Sequence, residues 1–554
     1  MLRKLFLPIL FISTITFAQT PYLSKVWQAD QGNGTYKNPV LYADYSDPDV
    51  CRAGKDFYMT ASSFNCVPGL PVLHSRDLVN WQLIGHALKR LSPEATFARP
   101  QHGNGVWAPA IRYHKGEFYI FWGDPDFGFY MTKTTDPAGD WSEPVLLKEG
   151  KGLIDCCPFW DNNGKAYLVH ALAGSRAGYK SVLCLAPMSP DGTRLLGESR
   201  IVFDGHEKHP TVEGAKLYKR NGYYYLFAPA GGVATGWQLV LRSKNIWGPY
   251  DEKIVLAQGN TSVNGPHQGA WVDTPAGEDW FLHFQDADAY GRIVHLQPMV
   301  WKNDFPVIGA DPDDDGCGEP VMKHRKPNVG KTYPIQTPPE SDEFNSNTLG
   351  LQWQWHANPN FAWSFCDAKN GKLRLYSVFT DSVKNLWDVP NLLLQKFPAP
   401  EFTATAKVSF LYPQQPGERF SFVVMGEDYA AISLYSGDGN EENGRAESGI
   451  WQIECRKANK GTAETINDAN KAIVDAGKII FTDEDNYIYL RIEVKEGGKC
   501  KFSYSFDNEK YASIGNEFTA KPGRWIGAKI GFVYQRPKPS NDGGWVDIDW
   551  IRFE

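Results

Sequence analysis

Residues 42–61 read YADYSDPDVCRAGKDFYMTA, and the second half of this stretch is typical of a β-hairpin with a glycine in its turn. The pattern Gly-x-x-aromatic-apolar that begins at Gly54 returns four more times before residue 290. The five copies are GKDFY at 54, GEFYI at 116, GKAYL at 164, GYYYL at 222 and GEDWF at 277. Their glycines are 62, 48, 58 and 55 residues apart, and such regular spacing predicts a repeated structural unit.

A unit of roughly 50 residues has room for about four short strands, which is the size of one blade of a β-propeller. We therefore predict an all-β chain in which residues 19–320 form a five-bladed β-propeller. The alternative is a β-sandwich whose segments resemble one another by accident. Residues 321–339 are rich in proline and polar side chains and predict a linker. Apolar residues alternate in short runs over 340–554, which predicts an accessory β-sandwich domain.

The first residues, MLRKLFLPILFISTITFAQT, predict a secretory signal peptide over 1–18. Basic Arg3 and Lys4 precede an apolar run, and small residues lead to a cleavage site after Ala18. That run of about 13 residues is shorter than the roughly 20 needed to span a bilayer, which argues against a membrane anchor. No cysteine follows the cleavage site, so we expect an exported protein, periplasmic or secreted, without a lipid anchor. We expect no membrane insertion of the mature chain.

The overall charge argues against a nucleic-acid partner. The chain of 554 residues has a formal net charge of −7, whereas a nucleic-acid-binding protein needs a basic face. Nine cysteines are scattered without a Cys-x-x-Cys pair, so neither a disulfide framework nor a zinc site is indicated.

Acidic residues recur at one place in the repeat. In a propeller the first strand of each blade lines the central channel, so we counted back from each repeat glycine to the start of that strand. Asp155 and Glu213 lie nine residues before Gly164 and Gly222, and Asp47 lies seven before Gly54. At the matching place the two other copies have Trp107 and His267. Since side chains alternate along a strand, offsets of seven and nine predict one shared face.

Three carboxylates at equivalent positions of a repeat indicate catalysis more strongly than any one of them does. Two carboxyl groups flanking a bond are the equipment of glycoside hydrolysis, in which one protonates the leaving oxygen and the other activates water or attacks. A third carboxylate nearby raises the pKa of the acid by repulsion between like charges. A solvated surface or turn role is the alternative for each acid taken alone.

Several motifs resemble glycoside hydrolase family 43. They are NPVLYADYSDPDV, GVWAPAIRYHKGEFYIFWGDPD, LIDCCPFWDNNGKAYLVHA, TVEGAKLYK and GRIVHLQPMVW, in this order over residues 36–310, and the segment from 342 resembles the sandwich of exo-acting members. The resemblance implies a catalytic five-bladed propeller that inverts the anomeric centre. It implies Asp47 as general base, Glu213 as general acid and Asp155 as the residue that modulates the pKa of the acid and orients the sugar. Acid and base should then stand about 6.5–9.5 Å apart.

The resemblance also implies substrate contacts. Arg292 matches an arginine that reaches toward the sugar and its acids, with a structural ion pair as the alternative. Phe64 matches an aromatic wall of the terminal sugar, and Trp107 is expected near the same rim, with core packing as the alternative for both. His267 matches a histidine that faces a metal ion, through water, or has no metal at all. Asp124 stands in a loop that meets substrate hydroxyls or is a solvated turn.

No cofactor is expected to be required, but a structural calcium ion is considered at two places. Related sandwiches often bind calcium between their terminal strands, which here would use Asp342 and Asp549. The acidic loop 309–320, GADPDDDGCGEP, lacks the spacing of the helix-loop-helix calcium motif and is expected to be solvated.

Our first expectation of function is an exo-acting inverting α-L-arabinofuranosidase that removes terminal units from side chains of plant polysaccharides. The alternative is a β-D-xylosidase that uses the same three carboxylates. A non-catalytic carbohydrate-binding protein is a third hypothesis, and an endo-arabinanase is a weaker one. The expected partner is therefore a plant cell-wall oligosaccharide or polysaccharide. The sequence leaves open whether the sandwich shapes the pocket or only supports the propeller.

Overall fold

The computed structural model describes residues 21–383, 385–410, 415–436, 452–458, 472–473 and 487–554. The predicted signal peptide, residues 1–18, lies outside the described residues. In the part of the chain that is described, no helix combines the length and apolar character needed to cross a membrane.

After β1 (Thr35–Lys37), the chain forms five antiparallel four-stranded sheets in sequence order. Sheet 1 contains β2 (Asp49–Ala53), β3 (Asp56–Thr60), β4 (Gly69–Ser75) and β5 (Trp81–Leu88). Sheet 2 contains β6 (Trp107–His114), β7 (Glu117–Asp124), β8 (Gly128–Thr134) and β9 (Val145–Glu149). Sheet 3 contains β10 (Leu153–Trp160), β11 (Ala166–Leu172), β12 (Val182–Met188) and β13 (Arg200–Asp204).

Sheet 4 contains β14 (Lys216–Arg220), β15 (Tyr223–Ala230), β16 (Trp237–Ser243) and β17 (Asp251–Leu256). Sheet 5 contains β18 (His267–Asp273), β19 (Asp279–Asp286), β20 (Arg292–Lys302) and β21 (Phe305–Ile308). The helices of this part are short, namely α1 (Glu94–Phe97), α2 (Gly174–Ala177) and a 3-10 turn (Asp288–Tyr290). Strand β22 (Lys323–Arg325) pairs with β1.

The five sheets form a ring, because each packs on the next through its own buried apolar cluster. Phe118 of sheet 2 packs against sheet 1, and corresponding clusters join sheets 2 and 3, 3 and 4, and 4 and 5. A further cluster that includes Trp81 and Trp280 joins sheet 5 to sheet 1. Burial of aromatic and branched side chains between neighbouring sheets is the main stabilising contribution here. This radial arrangement is a β-propeller, and the prediction of an all-β chain is confirmed.

The repeat pattern corresponds to the hairpin between the first two strands of each sheet. Its glycines, Gly54, Gly116, Gly164, Gly222 and Gly277, all have positive φ angles between 65° and 88°. A Cβ atom at any of them would meet nothing within 4 Å. The requirement for glycine is therefore conformational rather than steric, which explains its recurrence in every copy.

The C-terminal part is a sandwich of two seven-stranded sheets. In spatial order, one contains β23 (Gln354–Trp355), β26 (Leu393–Lys396), β35 (Lys529–Gln535), β28 (Arg419–Met425), β29 (Tyr429–Tyr435), β30 (Gln452–Ala458) and β31 (Ala472–Ile473). The other contains β24 (Ser364–Asp367), β25 (Lys372–Tyr376), β36 (Trp545–Phe553), β27 (Phe402–Phe410), β32 (Tyr487–Lys495), β33 (Lys499–Ser505) and β34 (Ala512–Thr519). Two 3-10 turns, Phe361–Trp363 and Leu386–Asp388, complete it. Phe422 and Phe532 of the first sheet share one core with Val408 and Ile492 of the second.

Propeller and sandwich are joined by polar contacts near the start of the propeller's inner strands. Val67 and Trp355 exchange two backbone hydrogen bonds of 3.0 and 2.6 Å. The Asp44 carboxylate accepts the backbone N–H of Gly527 at 3.0 Å and that of Arg292 at 2.9 Å. A single buried carboxylate therefore holds a sandwich loop against the propeller strand that begins at Arg292.

Candidate active site

A residue in left-handed conformation stands at the start of every inner strand. These residues and their φ values are Asp47 (54°), Ala108 (38°), Asp155 (59°), Gly214 (61°) and Gln268 (29°). In three sheets the strand register also shifts at this point. Such bulges redirect side chains and are common beside active sites.

This geometry corrects our argument from strand alternation. Asp47 and Glu213 precede their strands, which begin at Asp49 and Lys216, and Asp155 lies at a register shift within its strand. Simple alternation therefore does not set the direction of these side chains. The repeated left-handed residue does: it is the acid itself at Asp47 and Asp155, and it is Gly214, directly after the acid, at Glu213.

Asp47 is buried and held by three donors. Its Oδ1 accepts a hydrogen bond from Arg292 at 2.9 Å. Its Oδ2 accepts from Ser62 Oγ at 2.6 Å and from Ser46 Oγ at 3.1 Å. Arg292 also donates to Ser46 Oγ at 2.7 Å. The carboxylate is thus fixed in one orientation beside a guanidinium group by charge-assisted and hydroxyl hydrogen bonds.

Asp155 lies at the centre of the acids. Its side chain is buried, and its Oδ2 accepts the backbone N–H of Gly214 at 2.8 Å. Burial, followed by the negative charges of Glu213 and Asp47, raises the pKa of Asp155 well above its ordinary value. The structure therefore brings together the three carboxylates selected from the sequence, close enough for both neighbours to act on Asp155.

Glu213 is the most accessible of the three acids, with 26% of its side chain exposed. Its Oε1 lies 3.4 Å from Nε2 of His267, which is itself 1% exposed. His267 Nδ1 is buried and has no hydrogen-bond partner among the described residues. The two predicted residues are therefore in contact, and the histidine orients the glutamate.

Aromatic rings from both domains surround this end of the propeller. The Phe64 ring is buried and meets Trp107 edge-on, with centroids 6.5 Å apart. Trp107 also meets Trp525 of the sandwich edge-on at 6.2 Å. Trp525 is 42% exposed, and the Arg292 guanidinium lies 5.9 Å from the centre of its ring. The sandwich thus contributes a side chain beside two predicted sugar contacts.

Asp124 stands apart from the acids. It ends β7, is buried, and accepts the backbone N–H of Asp126 at 3.0 Å, as a turn residue does. Burial raises its pKa to about 7. No contact recorded for Asp124 supports the predicted role in binding substrate hydroxyls, so that role stays a prediction.

Asp49, the second acid of the opening stretch, is fully buried and binds Arg112 at 2.5 Å. The same Oδ2 accepts the backbone N–H of Ile111 at 2.7 Å. Asp49 therefore joins sheet 1 to sheet 2 beneath the catalytic candidates. Of the two acids in this stretch, Asp47 is therefore the one whose charge acts on Asp155.

The predicted calcium ligands of the sandwich do not converge. Asp342 accepts from the backbone N–H of Phe344 and from Trp353 Nε1, at 2.8 and 2.9 Å. Asp549 pairs with Lys407 at 3.0 Å and lies 3.7 Å from Lys372. Among the described residues, the acidic loop holds the one group of three or more possible ligands, Asp311, Asp313 and Asp315, whose ligand atoms all lie within 4.8 Å of one another. The negative charge of Asp549 is thus offset by two lysine side chains.

Sequence reasoning missed Ser46, Ser62, Asp44 and Trp525. Ser46 and Ser62 carried no signal, because serine is common and their role depends on where Asp47 points. Asp44 and Trp525 act across the domain boundary, so no local pattern identifies them. The close approach of the two domains requires a glycine at position 527, since a Cβ there would lie 2.8 Å from the backbone N of Gly291.

Comparisons with known proteins show the family to which the chain belongs. Residues 36–306 match the family model Glycosyl hydrolases family 43, and residues 341–554 match Beta xylosidase C-terminal Concanavalin A-like domain. The chain is 40% identical over 520 residues to a Xylanibacter ruminicola protein named "Putative beta-xylosidase", covering 92% of this chain and 88% of the relative. It is 29% identical over 540 residues to the non-reducing end alpha-L-arabinofuranosidase BoGH43B of Bacteroides ovatus, covering 94% of each.

The fold agrees as well. The crystal structure of the GH43 BlXynB protein from Bacillus licheniformis is similar with a TM-score of 0.76 and 26% identity, covering 94% of this chain and 99% of that chain. The resemblance noted from the motifs is therefore confirmed over both the propeller and the sandwich. This chain belongs to glycoside hydrolase family 43 and is a glycosidase of that family, with a C-terminal β-sandwich.

Proposed function

We propose that the protein is an exo-acting, inverting β-D-xylosidase that acts on oligosaccharides from plant cell walls. The observation that carries the glycosidase chemistry is the group of Asp47, Asp155 and Glu213, with the pKa of Asp155 raised by burial and by its two neighbours. Xyloside is preferred over arabinofuranoside because the relative at 40% identity bears a β-xylosidase name, whereas the arabinofuranosidase is 29% identical. Our first expectation from sequence, an arabinofuranosidase, is less well supported and becomes the second candidate.

Asp47 acts as the base in this proposal. An ionised carboxylate offers about four lone-pair directions, and three are taken by Arg292, Ser62 and Ser46. One direction remains for a water molecule. The fixed orientation then lets Asp47 accept a proton from that water as it attacks the anomeric carbon.

Glu213 acts as the acid. It is the most accessible of the three carboxyl groups, which suits contact with the leaving oxygen. Glu213 donates its own proton to the leaving oxygen, and Asp155, whose pKa is raised by burial and by the charges of Glu213 and Asp47, lies beside it. His267 fixes the position of Glu213 through Nε2.

An exo mode of action is supported by the aromatic rings of Phe64, Trp107 and Trp525. Together they wall one side of the site, and Trp525 comes from the sandwich. A wall made by two domains favours a pocket that accepts a chain end. In this proposal the sandwich therefore shapes the pocket as well as supporting the propeller.

Other sequence predictions remain part of the proposal. We propose five blades that correspond to the five sheets, domain limits of 19–320 and 340–554 around a linker over 321–339, and cleavage of a signal peptide followed by export. No cofactor is proposed for the reaction, since the three carboxyl groups supply the proton transfers it needs.

Hydrolysis of aryl β-D-xyloside and aryl α-L-arabinofuranoside tests the function. We expect faster turnover of the xyloside and loss of that turnover in Glu213→Gln, while Glu207→Gln, which changes an exposed acid nearby, remains active. NMR of the first product formed shows whether the anomeric centre inverts. Preference for the arabinofuranoside would support the second candidate, and no turnover of either substrate would refute both.

A further inference from the structure

Two lysines face each other where the sandwich meets the propeller. Lys396 of β26 and Lys529 of β35 are directly opposite in the antiparallel register. The Lys529 ammonium donates to Cys66 Sγ at 2.9 Å and to Gln354 Oε1 at 3.1 Å. The Lys396 ammonium lies 5.2 Å from the centre of the Tyr45 ring. Like charges directly opposite on neighbouring strands are destabilising, so this pair requires a compensating charge.

Neither lysine has a carboxylate partner among the described residues. Asp44 is the carboxylate whose negative charge acts on Lys396, and it favours the protonated form of that lysine. Both Asp44 oxygens are already engaged by the backbone N–H groups of Arg292 and Gly527. Burial, followed by the charge of Lys529, lowers the pKa of Lys396 to about 8. Two ammonium groups thus share one negative charge in a buried interface, where an uncompensated charge is costly.

Lys396 lines a cavity between the two domains that has a volume of about 70 Å³. Gln395 lines the same cavity, and its buried Nε2 has no acceptor among the described residues. His86 also lines it, and burial lowers the pKa of His86 to about 3, so this ring adds no charge near neutral pH. A water molecule or small ion needs about 10–15 Å³ of a cavity volume of this kind, so the cavity has room for a small ion together with water.

Glu340 lines the same cavity, and one of its carboxyl oxygens has no partner among the described residues. Burial raises the pKa of Glu340 to about 7. Below that pH it is a neutral donor and supplies no negative charge to the lysine pair.

We propose that a small monovalent anion of the size of chloride binds in this cavity beside Lys396 and compensates the Lys396–Lys529 pair. The cation excess and the unpaired amide donor both match such an ion. Lys529 lies two residues after Gly527 and four after Trp525, so the anion stabilises the strand that positions the sandwich side of the pocket. A thiolate at Cys66 is the competing source of negative charge.

Thermal unfolding of the full chain tests the proposal without use of its activity. Sodium chloride is compared with sodium gluconate at equal ionic strength, since gluconate carries the same charge on a much larger anion. We expect Tm to rise with chloride concentration in the manner of a ligand that binds only the folded state. Lys396→Met should abolish this dependence, and Lys396→Gln serves if the first variant does not fold. Lys89→Met, which changes a surface lysine paired with Asp140, should retain it.

Two outcomes would overturn the inference. Equal Tm values of the unmodified protein in chloride and gluconate would point to Cys66 as the source of the charge, and a chloride effect that survives in both Lys396 variants would place the ion elsewhere. A bromide soak of crystals gives an independent readout, since an anomalous peak is expected beside the Lys396 ammonium and its absence would refute the site.

Discussion

Replacing Trp525 with alanine tests whether the sandwich takes part in binding the sugar. Trp525 is 42% exposed and lies against Trp107 and Arg292, which are two predicted sugar contacts. Since a side chain of this kind buries up to about 250 Å², about 100 Å² of it remains available to a ligand. A sugar on one face covers about half of that area.

At about 25 cal/mol per Å², that contact contributes about 1.2 kcal/mol. We therefore expect Trp525→Ala to raise KM about eightfold, with kcat nearly unchanged, because the contact is present in both the ground state and the transition state. Steady-state kinetics on an aryl β-D-xyloside measure both constants, and circular dichroism checks the fold.

Two variants serve as controls for this prediction. Trp525→Phe should recover most of the affinity, because a flat ring is retained. Phe506→Ala removes another exposed aromatic ring of the sandwich, 53% exposed, and should leave KM unchanged. A KM for Trp525→Ala within about twofold of that of the unmodified protein would refute a direct contact with the sugar.

Three further predictions concern the acids. Asp47→Asn should abolish turnover without changing Tm. Asp49→Asn should instead lower the free energy of unfolding by about 3–5 kcal/mol, because Arg112 is left buried and unpaired. If enzyme kinetics and denaturant unfolding gave the reverse result, the two roles would be exchanged. Asp155→Asn should lower kcat and remove from the kcat/KM pH profile the ionisation of Asp155, whose pKa is raised by burial and by the charges of Glu213 and Asp47; an unchanged kcat and pH profile would contradict this role. The folded-state pKa of Asp124, about 7, exceeds its unfolded value, so its contribution to stability is present at low pH and is lost as pH rises toward 7. The difference in Tm between Asp124→Asn and the unmodified protein should therefore be more positive at pH 8 than at pH 5. An equal difference at both pH values would refute the buried-charge argument.

The acids could be found from the sequence because the repeat keeps a local geometry. Each copy places a left-handed residue seven to nine residues before a turn glycine, so counting back from Gly164 or Gly222 reaches the channel mouth. The reason we gave, strand alternation, was incomplete, since Asp47 and Glu213 precede their strands. Counting back from the turn glycine selects these acids because the spacing within one hairpin depends only on residues close together in the chain.

The partners of those acids could not be found in this way. Arg292 reaches Asp47 across 245 positions of chain, and it was assigned only through resemblance to a family. The preference between xyloside and arabinofuranoside also depends on pocket shape, to which residues of both domains contribute.

By itself, the sequence determined the all-β class, the repeat, the family and the three carboxylates, because these follow from local patterns and from motifs in a fixed order. Only the tertiary structure decided what surrounds them. It placed Ser62 and Arg292 on Asp47, buried Asp49 against Arg112, and set Trp525 of the sandwich beside Trp107. Such contacts join residues far apart in the chain, and their energies depend on burial and distance, which no local pattern of residues specifies.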